Sequence, residues 1–187
     1  MQVYRKLTLY RPADIRVVPV ECVYAVIEVK AHLDTAELDS VLVNMESVRA
    51  LEKLAFEPDL PLVRHVTIYG EQRQIWPVMY FLFAYDSIDI QNLAVTLAAK
   101  QMTRPLDHRI DTVCVLDQGV VCNCPKDQSM YTCVPVPGSL LATVRTKKAL
   151  LLFYALITGA LNQVWLPMFQ FGTYLGQMTF GDNEVDG

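Results

Sequence analysis

The stretch that decides the fold is VYAVIEVK, residues 23–30. Every residue in it is apolar except Glu28 and Lys30, and its β-branched and aromatic side chains are typical of a strand. Successive side chains of a strand point to opposite faces, so Glu28 and Lys30 share one face with Tyr24 and Val26. Because apolar residues occupy both faces, the pattern predicts a central strand covered on both sides by helices.

A helical pattern follows this strand directly. Asp34 and Glu37 have the spacing of a capping box, which predicts a helix that begins near Asp34 or Thr35. Apolar residues then recur at helical spacing, at Leu38, Val41, Leu42, Met45 and Val48, with Leu51 or Leu54 as the last of the series. Two prolines, at positions 58 and 61, should end the helix.

Strand and helix patterns continue to alternate along the chain. Residues 2–20 are strand-like, and residues 57–75 have the composition of a loop with a short strand at HVTIY. We predict strands at 77–85 and 110–116, helices at 89–100 and 147–163, and a hairpin around 123–129 in which VVC pairs with MYTCVPV. The order β-β-β-α-β-α-β-β-α predicts an α/β fold, a mixed central sheet flanked by helices. We expect a single domain over residues 1–176, followed by a disordered acidic tail at 177–187.

The composition limits the class of protein and the cellular compartment in which we expect it. The chain has 187 residues, of which 52% are hydrophobic and 19% charged, enough apolar material for one domain with a sizeable core. Its net charge of −4 offers no general attraction for nucleic acid, so a nucleic-acid enzyme would need a local basic patch such as RTKK at 145–148. Five cysteines, an odd number, favour a reducing compartment, and we expect the cytoplasm.

The apolar segment 149–161 is too short to cross a membrane. A bilayer span needs about 20 apolar residues, and this run is bounded by Asn162 and Gln163. We therefore interpret it as a core helix or a helix through which two copies form a homodimer, with membrane association as a weaker alternative.

The charged pair in the strand at 23–30 is the one pattern here that is typical of an active site. Charged side chains inside a sheet are costly unless they are paired or bind a metal. A carboxylate at Glu28 could bind Mg²⁺, while the Lys30 ammonium orients water or stabilises charge on a phosphate. Mg²⁺ needs further oxygen ligands, and a hairpin between residues 14–18 and 23–30 would bring Asp14 close to Glu28. Glu21, on the same strand, is about 7 × 3.3 Å away and too distant to share a metal.

PAD at residues 12–14 together with IEVK at 27–30 resembles the PD-(D/E)xK nuclease superfamily, which has the restriction-endonuclease-like fold. More narrowly, PVECVYAVIEVKAHLDTAEL at 19–38 resembles a bacterial domain family of unknown function in that superfamily. The resemblance implies Mg²⁺-dependent cleavage of nucleic acid, in particular DNA, and a role in restriction, repair or phage defence. It maps Glu28 and Lys30 onto the Glu-x-Lys of the motif and Asp14 onto its first acidic residue. Relatives have a longer segment before this point, which leaves open a catalytically inactive module that serves in binding.

Two other groups of residues are weaker candidates for a functional site. Cys122, Cys124 and Cys133 could bind zinc, but the C-x-C spacing and the lack of an obvious fourth ligand favour ordinary hairpin thiols. His32 would share the face of Lys30 if the strand continued, and it could contact a phosphate. A solvated position at the helix entry is the simpler interpretation.

Overall fold

The computed structural model describes residues 18–56, 65–127, 130–164 and 170. These residues form seven strands and three α-helices. The strands are β1 (Ala25–Leu33), β2 (Val66–Ile68), β3 (Glu71–Arg73), β4 (Met79–Ser87), β5 (Thr112–Val115), β6 (Gly119–Cys124) and β7 (Leu140–Arg145). The helices are α1 (Thr35–Arg49), α2 (Ile90–Gln101) and α3 (Ala149–Leu161).

Five of the strands form one mixed sheet in the order β1-β4-β5-β6-β7. Strands β1, β4 and β5 are parallel, with Glu28 opposite Leu82, whereas β5, β6 and β7 pair antiparallel. Strands β2 and β3 form a separate hairpin that turns at Tyr69 and Gly70, both of which have positive φ. The prediction of an α/β fold with a mixed sheet and flanking helices is therefore confirmed.

Each face of the sheet carries its own apolar core. Helices α1 and α2 cover one face, where the buried side chains of the sheet include Tyr80, Leu82 and Val113. Helix α3 covers the other face, and Phe153 packs edge-on against Phe81 at 6.1 Å between ring centroids. The two layers of helices enclose the middle of the sheet and leave β1 at one side.

The strand β1 differs from the prediction in position and length. Among the described residues it is the outermost strand of the sheet, not a central one, and Ile27 and Val29 are 48% and 56% exposed. It also continues past Lys30 to Leu33, so Glu28 and Lys30 lie in its middle. A run of apolar residues is compatible with either position, because the order of strands depends on pairing between distant segments.

The helices begin and end close to the predicted positions, with one exception. Asp34 caps α1, its side chain accepting a hydrogen bond from the Glu37 backbone N–H at 2.9 Å. The helix ends at Arg49, however, and Leu51 and Leu54 are exposed beyond it, so the apolar series stops at Val48. Positions 58 and 61, predicted to end α1, lie outside the described residues.

The predicted partner of the VVC strand is wrong. Strand β6 pairs with β7 at 140–145, and the segment 130–136 contributes one isolated bridge, between Asn123 and Thr132. Pro135 and Pro137 lack the backbone N–H that a strand inside a sheet donates. Before β1, Cys22 is exposed in a turn of 3₁₀-helix at Val20–Cys22.

A buried ion pair fixes the end of α1 against the sheet. Arg49 donates to Asp111 at 3.0 Å, and the two side chains are 5% and 0% exposed. Asp111 also accepts hydrogen bonds from the Tyr69 hydroxyl at 2.8 Å and the Tyr80 backbone N–H at 2.6 Å. These contacts join α1, the β2–β3 hairpin and the starts of β4 and β5.

None of the helices in the described ranges is long and apolar enough to cross a bilayer. The predicted acidic tail, 177–187, and the predicted strands before residue 18 fall outside those ranges.

Candidate functional site

Glu28 and Lys30 lie in the middle of β1, on the face covered by α1. Their side chains are 16% and 20% exposed, so both are largely enclosed but reachable from solvent. The Lys30 ammonium lies 3.2 Å from the Glu28 carboxylate. The alternation read from the sequence therefore placed the pair correctly on one face of the strand.

Three donors converge on the Glu28 carboxylate. The Tyr80 hydroxyl, on the neighbouring strand β4, donates to Oε2, and the Asn44 side-chain amide of α1 donates to Oε1 at 3.0 Å. Burial alone would raise the pKa of Glu28, but the hydrogen bonds from Tyr80, Asn44 and Lys30 outweigh it and lower that pKa. Glu28 is thus held as an ionised carboxylate at neutral pH.

Lys30 is held as an ammonium by two carboxylates. Glu37, in the first turn of α1, accepts from Nζ at 2.7 Å, and Glu28 accepts on the other side. The bond to Glu37 raises the pKa of Lys30, burial opposes it, and Glu28 adds to the rise. A lysine whose pKa is raised does not act as a base at neutral pH, so Lys30 can only supply positive charge and hydrogen bonds.

The other two acidic candidates have different outcomes. Asp14 lies outside the described residues. Glu21 is buried at 2% exposure, and its carboxylate accepts the backbone N–H groups of Leu54 and Ala55 at 3.1 and 3.0 Å. Glu21 therefore holds the segment that follows α1. It lies in the 3₁₀ turn at Val20–Cys22 that precedes β1, so its predicted position on the strand is wrong.

Glu28 fits the requirements of one magnesium ligand. Its carboxylate is ionised and partly accessible, and hard oxygen anions are the ligands that Mg²⁺ prefers. To bind a cation it would exchange the hydrogen bond from Asn44 or the contact with Lys30. Within the described ranges no three His, Cys, Asp or Glu side chains converge as a metal site.

The alternative sites receive no support from the geometry. His32 does share the face of Lys30, but it pairs with Asp86 at 2.9 Å in an exposed position. Burial raises the pKa of Cys122 and Cys133 to about 12, which leaves them as neutral thiols. These two are inward-facing packing residues, in line with the interpretation as ordinary thiols.

Three residues of the site were not identified from the sequence as parts of it. Tyr80 reaches Glu28 across 52 residues of chain, and Asn44 reaches it from a helix face that otherwise looks solvated. Glu37 was interpreted as part of a capping box, whereas its carboxylate pairs with Lys30. One signal was available, because Tyr80 is a polar aromatic residue inside the otherwise apolar run MYFLFA.

The described fold is similar to solved structures of NucC. The apo form from E. coli MS115-1 aligns with a TM-score of 0.63 and 19% identity, over 91% of this chain and 71% of that one. This chain has the NucC nuclease fold. The cAAA-bound form of the same protein aligns with a TM-score of 0.63 and 19% identity, over 91% of this chain and 65% of that one. The cAAA-bound form from P. aeruginosa ATCC27853 aligns with a TM-score of 0.64 and 18% identity, over 92% of this chain and 67% of that one. No protein-family model and no curated protein matches the sequence.

Proposed function

We propose that this protein is a Mg²⁺-dependent nuclease of the PD-(D/E)xK type that cleaves DNA. The observation that carries the proposal is the enclosed Glu28–Lys30 pair on the strand face beneath α1. Similarity to NucC, a PD-(D/E)xK-type nuclease of phage defence, supports the same chemistry and a nuclease-like role in defence. Free thiols at Cys22, Cys114, Cys122 and Cys133 are consistent with action in the cytoplasm.

In this proposal Glu28 and Asp14 bind the metal and Lys30 acts on the phosphate. Bound Mg²⁺ would supply a Lewis acid and an activated water. Tyr80 and Asn44 orient the Glu28 carboxylate and keep it ionised. Lys30 stabilises the negative charge that develops on the phosphate, as its raised pKa requires. The incoming phosphate replaces the Glu37 carboxylate at the Lys30 ammonium.

The test is a plasmid-nicking assay with and without Mg²⁺. We expect Mg²⁺-dependent nicking by the wild type, and a loss of at least about 100-fold in Glu28→Gln and Lys30→Met, because each removes a group that contacts the reacting phosphate or its metal. Glu52→Gln and Lys100→Met, at exposed and partly exposed positions outside the pair, are matched controls with unchanged rates. Circular dichroism checks that all variants fold. Equal nicking by wild type, Glu28→Gln and Lys30→Met would reject the proposal.

A second candidate function is a catalytically inactive nuclease-fold module that binds nucleic acid. The observation that favours it is the Glu28 carboxylate, both of whose oxygens already accept hydrogen bonds from neighbouring side chains. Binding of labelled DNA by the wild type without Mg²⁺-dependent cleavage, and with equal affinity in Glu28→Gln, is the result that would select this function.

We also propose that two copies associate through the outer face of α3. Leu150, Leu151 and Tyr154 are 54–65% exposed there, on a helix whose opposite side packs on the sheet. A surface with neighbouring exposed apolar side chains of this size is typical of a protein contact. The predicted homodimer helix is consistent with this surface.

A further inference from the structure

Glu37 makes a contact with Lys30 that the cap of α1 does not require. The cap uses the backbone of Glu37, whose N–H donates to the Asp34 side chain at 2.9 Å. The Glu37 carboxylate lies elsewhere, 2.7 Å from the Lys30 ammonium of the neighbouring strand β1. The pairing with Lys30 is therefore additional to the interactions that start the helix.

The two carboxylates that contact Lys30 are held with different firmness. Glu28 is 16% exposed, and Tyr80 and Asn44 donate hydrogen bonds to it as well. The Glu37 side chain is 45% exposed, and among the described residues Lys30 is its one ion-pair partner. Turning Glu37 into water breaks one side-chain contact, whereas moving Glu28 breaks three. Glu37 is therefore the carboxylate that can leave the Lys30 ammonium.

A carboxylate and a phosphodiester can take the same place at an ammonium. Each carries one negative charge shared by two oxygens, and each accepts charge-assisted hydrogen bonds. The Lys30 ammonium already contacts Glu28 at 3.2 Å and Glu37 at 2.7 Å. Because the Lys30 side chain is only 20% exposed, little of it is open to a third anion. A substrate phosphate therefore reaches Lys30 by displacing Glu37.

We propose that Glu37 is a specificity-determining residue that keeps single phosphate esters off Lys30 and yields to a nucleic acid chain. This rests on the proposed function, in which Lys30 binds the reacting phosphate. Because Glu37 belongs to the same chain, its effective concentration at the ammonium is about millimolar or higher, which excludes a single ester at lower concentration. A nucleic acid chain gains further affinity from its other phosphates through counterion release, and so still binds.

The first test is the binding of a fluorescein-labelled DNA duplex, followed by anisotropy in EDTA so that Mg²⁺-dependent cleavage does not occur. Glu37→Gln should tighten binding about tenfold, because it removes one charge-assisted competitor for the ammonium. Asp39→Asn is the matched control. It removes the same charge from the same helix, at a 64% exposed carboxylate that pairs with Lys100, and should change the affinity by less than about twofold. In a Lys30→Met background, Glu37→Gln should have no effect.

The second test uses TpT, which carries one phosphodiester and no other phosphate. In an NMR titration its Kd should be above about 10 mM for the wild type and near about 1 mM for Glu37→Gln. In the nicking assay with Mg²⁺, Glu37→Gln should lower KM about tenfold and leave kcat unchanged, because Glu37 opposes the binding of substrate and not the reaction. Circular dichroism checks that the variants fold.

The competition is disproved if Glu37→Gln binds DNA within about twofold of the wild type, if Asp39→Asn tightens binding equally, or if the gain persists in Lys30→Met. A loss of nicking in Glu37→Gln also disproves it, since the reaction would then need this carboxylate. The proposed function fails separately: a wild type that does not nick, with Glu37→Gln still tightening DNA binding through Lys30, leaves the competition in place. Absence of DNA binding in every variant overturns both.

Discussion

The roles of single side chains in the site follow from the protonation states that the fold imposes. Glu28 is kept ionised by three donors and Lys30 is kept protonated by two carboxylates. Tyr80 is part of the same arrangement, since burial and its bond to Glu28 raise the pKa of its hydroxyl. It is therefore a positioning residue that stays a donor over the whole physiological range of pH.

Tyr80→Phe should raise the pKa of Glu28, because it removes the strongest hydrogen bond that lowers it. In the proposed nuclease the acid limb of the pH–rate profile then moves to higher pH, and the rate at neutral pH falls about tenfold, as for one charge-assisted hydrogen bond. The pKa is measured by NMR of the Glu28 side chain and the profile by nicking. Tyr131→Phe, a partly exposed tyrosine outside the site, is the control. A profile unchanged in Tyr80→Phe would show that Tyr80 only packs.

The contribution of Lys53 to the free energy of unfolding depends on pH. Burial lowers its pKa to about 8, with Glu21 opposing the fall, whereas an unfolded lysine titrates at about 10.4. Between these pH values Lys53 is protonated in the unfolded chain but not in the folded one, so the unfolded chain binds more protons. The contribution of Lys53 to the free energy of unfolding should therefore rise with pH from about 8 to 10.4 and stay constant outside that window.

The measurement is urea unfolding of the wild type and Lys53→Met at pH 7.5 and 10. The wild type should gain stability relative to Lys53→Met at the higher pH, and the titration of other groups cancels in the comparison. Lys100→Met, which removes an ammonium that contacts Asp39 at the surface, should show no such gain. A constant difference between wild type and Lys53→Met would contradict the lowered pKa.

Among the elements, the antiparallel pair β6–β7 depends on one glycine. Gly119 begins β6 with a φ of +150°, and a Cβ placed there would lie 2.2 Å from the Val144 carbonyl oxygen of β7. A backbone atom cannot yield as a flexible side chain does. Only glycine therefore fits between these two strands.

Gly119→Ala should cost about 2–3 kcal/mol of unfolding free energy, from the clash and the strained φ together. Thermal or urea unfolding measures the loss. Gly159→Ala lies inside α3, where the added Cβ would have no described atom within 4 Å other than its chain neighbours and its own helix backbone, and it should instead leave stability equal or raise it by up to about 1 kcal/mol. Equal effects of the two substitutions would show that β6 and β7 are not packed this closely.

The sequence predicts some of these elements well and others poorly, because some depend on local interactions and others on contacts between distant parts of the chain. Helices α1 to α3 were located closely at their starts because spacing and the Asp34 cap are local signals. The Glu28–Lys30 pair was found for the same reason, since strand alternation alone places both on one face. By contrast, the outer position of β1, the choice of β7 over the 130–136 segment, and the role of Tyr80 depend on contacts between segments far apart in the chain.

At the scale of the whole molecule, the outer face of α3 is the surface through which we propose that two copies associate. Leu151→Glu puts a charge in the middle of the proposed contact, at a side chain that is 63% exposed and so contributes little to the fold. We expect light scattering after size exclusion to give the mass of a dimer for the wild type and of a monomer for this variant. Val95→Glu, at a 62% exposed position on α2, is the control that keeps the wild-type mass. A wild type that is monomeric at all concentrations would rule out the contact.

The parallel pairing of β1 with β4 has a consequence during synthesis. Each residue of β1 pairs with one 54 positions later, whereas β5 and β6 join through a tight turn. At about 5–20 residues per second, β1 leaves the ribosome roughly 3–10 s before its partner strand exists. Of the described helices, α1 is the one made in that interval, and it covers the face of β1 that carries Glu28 and Lys30. For those seconds β1 lacks the β4 strand it pairs with, and Ile27 and Val29 are exposed, so we expect this segment to be prone to aggregation and to bind chaperones while the protein is being made.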